Sequence, residues 1–231
     1  MTLILCVDTS LEQASIVLSE DGQVIAGKTN KRQVDHASWI HTAIHQLLAE
    51  NGHSLRDPQA IAVVAGPGSY TGLRVGMSTA KGLCFALDLP LITLNTLELM
   101  AYAQRETKWQ TDELPTLICP MIDARRMEVF AAIYDPDGNI VEPPAAIVLD
   151  EHSYEKYLSS HKLIFAGNGT EKWRKICPHN NAVYSDLNVE MVHIARMAQL
   201  EFTSKRFADL AYTEPSYIKN AYVFPPSQRH K

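Results

Sequence analysis

Few stretches of this chain hold residues suited to chemistry, and the most conspicuous is Gly66 to Gly76, "GPGSYTGLRVG". A Walker loop would need G-x-x-x-x-G-K-S/T and a dinucleotide fingerprint G-x-G-x-x-G, because both bring backbone N–H groups onto phosphate. Here the glycines run G-x-G-x-x-x-G, no Lys follows Gly72, and Arg74 is the nearest cation. A helix N-terminus at this turn would still attract an anion. Read as packing, Gly72, Gly76 and Ala80 fall at i, i+4 and i+8 and make a nearly bare ridge on one helix face. Each interior glycine costs about 1 kcal/mol against alanine, so close approach of another backbone is the compensation to look for. That backbone belongs to the same chain, to a second copy or to another protein.

Other candidates are weaker. "DTS" at Asp8 to Ser10 closes the first apolar run, where a carboxylate and two hydroxyls would either meet a nucleotide with its hydrated metal or cap the turn. "GNG" at Gly167 to Gly169 ends a later strand in the same way. His41 and His45 share a helix face, but Thr42 stands where a metalloprotease helix would carry Glu, and no third ligand accompanies them. "IDARRMEVF" at Ile122 to Phe130 places Asp123, Arg125, Arg126 and Glu128 around a turn, which reads first as a solvated, ion-paired hairpin. No Ser/His/Asp order or spaced carboxylate pair points to hydrolysis.

The elements that hold these residues follow from periodicity. Leu3 to Val7, Ala14 to Leu18 and Gln23 to Lys28 read as three antiparallel strands, with Asp-Gly at 21–22 as the hairpin turn. Asp35 to Glu50 repeats apolar residues at helical spacing, Ile61 to Ala65 is a buried strand, Thr71 to Leu87 a helix and Leu91 to Leu94 a strand. The order βββαβαβ predicts a ribonuclease-H-like lobe with a mixed sheet. After the polar stretch 104–115, strands at 116–122, 128–134, 145–149 and 163–166 and a helix over 189–202 repeat the element order without repeating the sequence. The expectation is α/β with two actin-like lobes: 1–103, with 204–222 packing back on it, then 104–203, then a flexible tail at 223–231.

Composition sets limits. The chain has 231 residues, 46% hydrophobic and 20% charged, with a net charge of −5, so no overall basic field favours nucleic acid. No apolar run approaches the ~20 residues of a membrane span, and the start lacks an export signal, so a cytoplasmic protein is expected. The four cysteines form no CxxC pair, and Cys6, Cys84 and Cys119 lie in apolar runs, which suits reduced core thiols.

Taken together, "CVDTSLEQASIVL", "GPGSYTGLRVG", "LPLITLNTLELMA" and "IDARRMEVF" resemble the TsaB family, also written YeaZ, from Met1 to about Tyr222. The resemblance implies a two-lobe actin-like paralogue of the catalytic subunit TsaD. Thr96 and Met100 stand where that subunit carries a His-x-x-x-His metal motif. It implies a non-catalytic subunit with no metal or cofactor of its own, binding and activating a TsaD-like transferase that forms N6-threonylcarbamoyladenosine in tRNA. A TsaE-like ATPase would be a third partner, a TsaC-like enzyme would act upstream, and the chain would self-associate when alone. ATP or ADP would belong to the assembled complex and tRNA would be met only through it, with no membrane involved. Pairing through the first two helices makes His36, Trp39, Ile40, Ala43, Gly72, Leu73, Arg74, Gly76, Met77, Ala80 and Lys81 the expected interface. A bulky Gly76→Trp change should then block pairing without unfolding the chain. Asp8, Thr9, Ser10, Gly167 and Gly169 are the expected nucleotide contacts. The competing readings are an ATP-handling actin-like enzyme that uses Asp8 and the two glycine turns, and a glycoprotease-like metallopeptidase.

Overall fold

The computed structural model describes residues 1–32, 35–107 and 114–219. The tail at 223–231, expected to be flexible, lies outside the described residues.

The first sheet has the order β3-β2-β1-β4-β5. Its strands are β1 (Leu3–Asp8), β2 (Ala14–Glu20), β3 (Gln23–Asn30), β4 (Ala60–Gly66) and β5 (Leu91–Asn95). β1 pairs antiparallel with β2 and parallel with β4, so the sheet is mixed. Asp21 and Gly22, both left-handed at φ 48° and 78°, form the β2–β3 turn, as an Asp-Gly pair favours. Strand alternation then divides β1 between two cores. Leu3, Leu5 and Val7 face α1 (His36–Glu50) and α2 (Tyr70–Leu87), while Ile4 and Cys6 face α3 (Thr96–Arg105) and α6 (Met191–Thr203). A strand covered on both sides reads as a continuous apolar run, which is why β1 and β4 stand out in the sequence.

The second sheet, β10-β9-β6-β7-β8, has the same topology in a different sequence. It comprises β6 (Thr116–Asp123), β7 (Glu128–Tyr134), β8 (Ile140–Val148), β9 (Lys162–Ala166) and β10 (Ala182–Ser185), with the short helices α4 (Glu155–Leu158) and α5 (Thr170–Arg174). Phe165, Trp173 and Tyr154 fill one face with edge-on ring contacts of 5.5 to 5.9 Å between centroids. The other face meets α3, whose Leu97 and Met100 join Ile118, Ile122 and Tyr134 in one core, while Leu99 of the same helix joins the core of the first sheet. The result is the two-lobe actin-like α/β fold that the element order predicts.

Two placements differ from the sequence reading. α6, expected with the second sheet, packs on the first: Ile194, Ala195, Met197 and Ala198 join Ile4, Cys6 and Val17. Its apolar stripe completes a sheet face that would otherwise meet water. α3 escaped the periodicity reading because it follows β5 without a loop, Asn95 both ending the strand and capping the helix through Oδ1 to the Leu97 and Glu98 N–H groups.

Candidate functional site

The glycines of "GPGSYTG" are explained by what lies over them. A Cβ at Gly68 would overlap the Ser10 carbonyl, one at Gly72 the Thr9 carbonyl, and one at Gly76 the Thr9 hydroxyl. Thr9 Oγ1 donates to the Gly72 carbonyl at 2.7 Å, and the Ser69 N–H donates to the Ser10 carbonyl at 2.6 Å. The bare ridge of α2 is therefore closed by the chain's own "DTS" turn, and Ser10 Oγ and N–H both donate to Asp8 Oδ1 at 2.7 and 2.8 Å. Burial pushes the Asp8 carboxyl above its ordinary value, opposed by those Ser10 bonds and by nearby His36. In the second lobe, Gly167 (φ 97°) is packed against Met100 and the Met121 carbonyl, and Gly169 against Met121, Val129 and Ile122. The Cβ sides of these glycines, in the turns named as nucleotide contacts, therefore pack against the chain itself, while Ser10, Gly68 and Asn168 also line the cleft between the lobes.

The expected docking residues need the same correction. His36, Ile40 and Ala43 on α1 and Gly72, Leu73, Gly76, Met77 and Ala80 on α2 are buried. Only Arg74 is exposed, while Trp39 and Lys81 are half-buried. The helices lie on a sheet, so the small-residue side, which permits closest approach, turns inward. The expected Gly76→Trp outcome fails for this reason, since the indole would collide with Thr9 and Val63 inside the lobe. The outward strip of α2 is Thr71, Arg74, Ser78, Gly82 and Phe85, beside Ser38, His41, Thr42 and His45 of α1. Phe85 is 83% exposed and nothing lies within 4 Å of a Cβ built on Gly82. Sequence reasoning missed this strip because apolar residues occur on both sides of α2; the available signal was the third glycine, set off the ridge.

The C-terminal segment crosses the end of α2. Ala208 bridges to Leu91, Ser216 N–H donates to the Ala65 carbonyl at 2.7 Å, and Lys81 Nζ donates to the Thr213 carbonyl at 2.9 Å. Arg74 stacks over Tyr70 at 4.1 Å and donates to the Tyr217 hydroxyl at 3.2 Å.

Between the lobes is a cleft of about 1400 Å³. Ser10 and Pro67 to Thr71 form one wall, Ile122 to Glu128 with Asn168 the other, and Ser216 to Lys219 the floor. Asp123 pairs with Lys172 at 2.9 Å, which with its other hydrogen bonds holds its carboxyl below the ordinary range despite partial burial, and Glu128 pairs with Lys219. Arg125 and Arg126 sit in the left-handed region at φ 71° and 47°, exposed, with no side-chain hydrogen bond or ion pair among the described residues. Such a conformation costs a non-glycine residue roughly 1 kcal/mol or more. Thr96 and Met100 lie buried beside this cleft rather than in it. Among the described residues, no three His, Cys, Asp or Glu side chains converge as a metal site, and no helix is long and apolar enough to cross a membrane.

Comparison with known proteins places this geometry among relatives. Residues 24–222 match the family described as TsaD, tRNA N6-adenosine threonylcarbamoyltransferase. The chain is 30% identical over 224 residues to the Escherichia coli tRNA threonylcarbamoyladenosine biosynthesis protein TsaB, covering 94% of each. It is 32% identical over 132 residues to the Staphylococcus aureus tRNA N6-adenosine threonylcarbamoyltransferase, covering 50% of this chain and 39% of that one. YeaZ from Pseudomonas aeruginosa has the same fold at TM-score 0.76 and 24% identity, over 94% of this chain and all of the other.

Proposed function

Because the chain belongs to the TsaB (YeaZ) family, within the wider TsaD family whose model it matches, we propose that it binds and activates a TsaD-like threonylcarbamoyl transferase without catalysing transfer itself. Its setting is tRNA threonylcarbamoyladenosine biosynthesis. The observation that carries the reading is the outward face of α1 and α2. It offers small residues at Ser78, Gly82 and Ala86 beside an almost fully exposed Phe85, the pattern of a close helix-on-helix contact with an aromatic anchor. The similarity of half of this chain to 39% of a threonylcarbamoyltransferase supports a pseudo-symmetric pairing of like lobes, and the same face would serve self-association when no partner is present. A TsaE-like ATPase joins the pair, a TsaC-like enzyme supplies it, and ATP or ADP and tRNA engage the assembly.

A catalytic role has little support in the residues. Thr96 and Met100, which the family resemblance aligns with the transferase's two histidines, are core side chains. The glycines of the turns an actin-like ATPase would place on phosphate are accounted for by the chain's own packing, their Cβ sides lying against Thr9, Ser10, Met100 and Met121.

Pairing is tested by titrating the cognate TsaD-like subunit against the wild-type chain, Gly82→Trp and Phe85→Asp. The expected result is at least about tenfold weaker binding for both variants, as for loss of an interface anchor, with melting temperatures near that of wild type. Unchanged affinity in both variants would remove this face from the interface.

A further inference from the structure

The interlobe cleft is not accounted for by pairing through α1 and α2. At about 1400 Å³ it exceeds the 300–1000 Å³ typical of small-ligand pockets. What it does present is two adjacent guanidiniums, Arg125 and Arg126, with no side-chain hydrogen bond or ion pair among the described residues, although Arg125 is felt by the Asp123 carboxylate. Of the acids on the lining, Asp123 and Glu128 are matched by Lys172 and Lys219 and Glu12 is the third, while Met127 is 41% and Val148 67% exposed at the rim. Glycine or asparagine would hold the left-handed backbone at 125 and 126 with less strain, so arginine in both places argues for a demand on the side chains. Guanidiniums take carboxylates in a two-pronged geometry, and the apolar rim suits side chains of a polypeptide better than a nucleic-acid backbone, which calls for a longer basic track. The cleft also opens at the N-terminal end of α2, where Thr71 belongs to both the cleft wall and the outward strip. A partner seated on that strip has its edge at the cleft mouth.

We propose that the cleft receives an acidic segment of the partner subunit, with carboxylates on Arg125 and Arg126 and an apolar side chain against Met127 and Val148. This rests on the pairing reading above. The test uses the full chain with the cognate TsaD-like subunit and unmodified tRNA, carrying a photo-reactive benzophenone amino acid at position 148. A second chain carries Arg125→Gly with Arg126→Gly, which relaxes the turn while removing both charges. The expected result is a cross-link to an Asp- or Glu-containing peptide of the partner. The double-glycine chain should bind about 10- to 100-fold more weakly and lose part of the salt dependence, with a melting temperature equal to or above that of wild type. If the pair forms and responds to Phe85→Asp, yet the double-glycine chain binds like wild type and position 148 reaches nothing in the partner, the cleft proposal fails and the pairing reading stands. Cross-linking to tRNA alone also overturns it. If the wild-type chain forms no pair at all, both fall.

Discussion

Three glycines on one helix have different physical tasks, and stability measurements should separate them. Gly72 and Gly76 are required because the Thr9 carbonyl and hydroxyl occupy the space a Cβ would take. Gly72→Ala should therefore lose about 1–3 kcal/mol, the usual penalty for overpacking a tight contact. Gly82 meets nothing within 4 Å and has ordinary helical geometry, so Gly82→Ala should gain up to about 1 kcal/mol from helix propensity alone. Urea unfolding of the three chains checks this directly. A Gly72→Ala chain as stable as wild type would mean that the "DTS" turn does not close over α2. The cysteines fit the same inward picture: all four are buried free thiols, and burial pushes Cys84 up to about 11 and Cys6 to about 12, out of the range of reactive thiolates.

Among the elements, the strands were the most legible in the sequence, because β1, β4 and β6 are covered on both faces and so read as unbroken apolar runs. Helix positions were legible as well, but the phase of α2 was not. Small residues mark where something comes close without saying from which side, and only the folded "DTS" turn settles that the neighbour is internal. The lobe assignment of α6 depends on which sheet face lacks cover, a tertiary property that local periodicity does not carry. The C-terminal segment makes a further point about elements: it has no regular structure, yet Arg74, Lys81 and Ala65 fasten it across α2. Tyr217→Ala removes the ring beside Tyr70, whose centroid lies 5.1 Å away, and the hydroxyl bound by Arg74. Hydrogen exchange at the Ser216 amide should then speed up by roughly tenfold, the equivalent of about 1.4 kcal/mol in local opening, while amides of β1 keep their protection. Equal acceleration in β1 would show that the segment is part of the global core instead.

For the whole molecule, two lobes of equal topology meet at α3, whose Leu99 joins the core of the first and whose Leu97 and Met100 join the core of the second. The site as a whole was less legible than the fold. The family motifs pointed to the helices α1 and α2, and the turn at Ile122 to Phe130 read only as an ion-paired hairpin, whereas the outward strip and the adjacent arginines emerge only when burial and backbone angles are known. The reading as an activating subunit then stands or falls on one reconstitution: threonylcarbamoyladenosine formed on unmodified tRNA by the cognate TsaC-, TsaD- and TsaE-like proteins, with and without this chain. Product that appears only when the chain is added, with none from the chain alone, is the predicted result. Equal product in its absence would contradict the account.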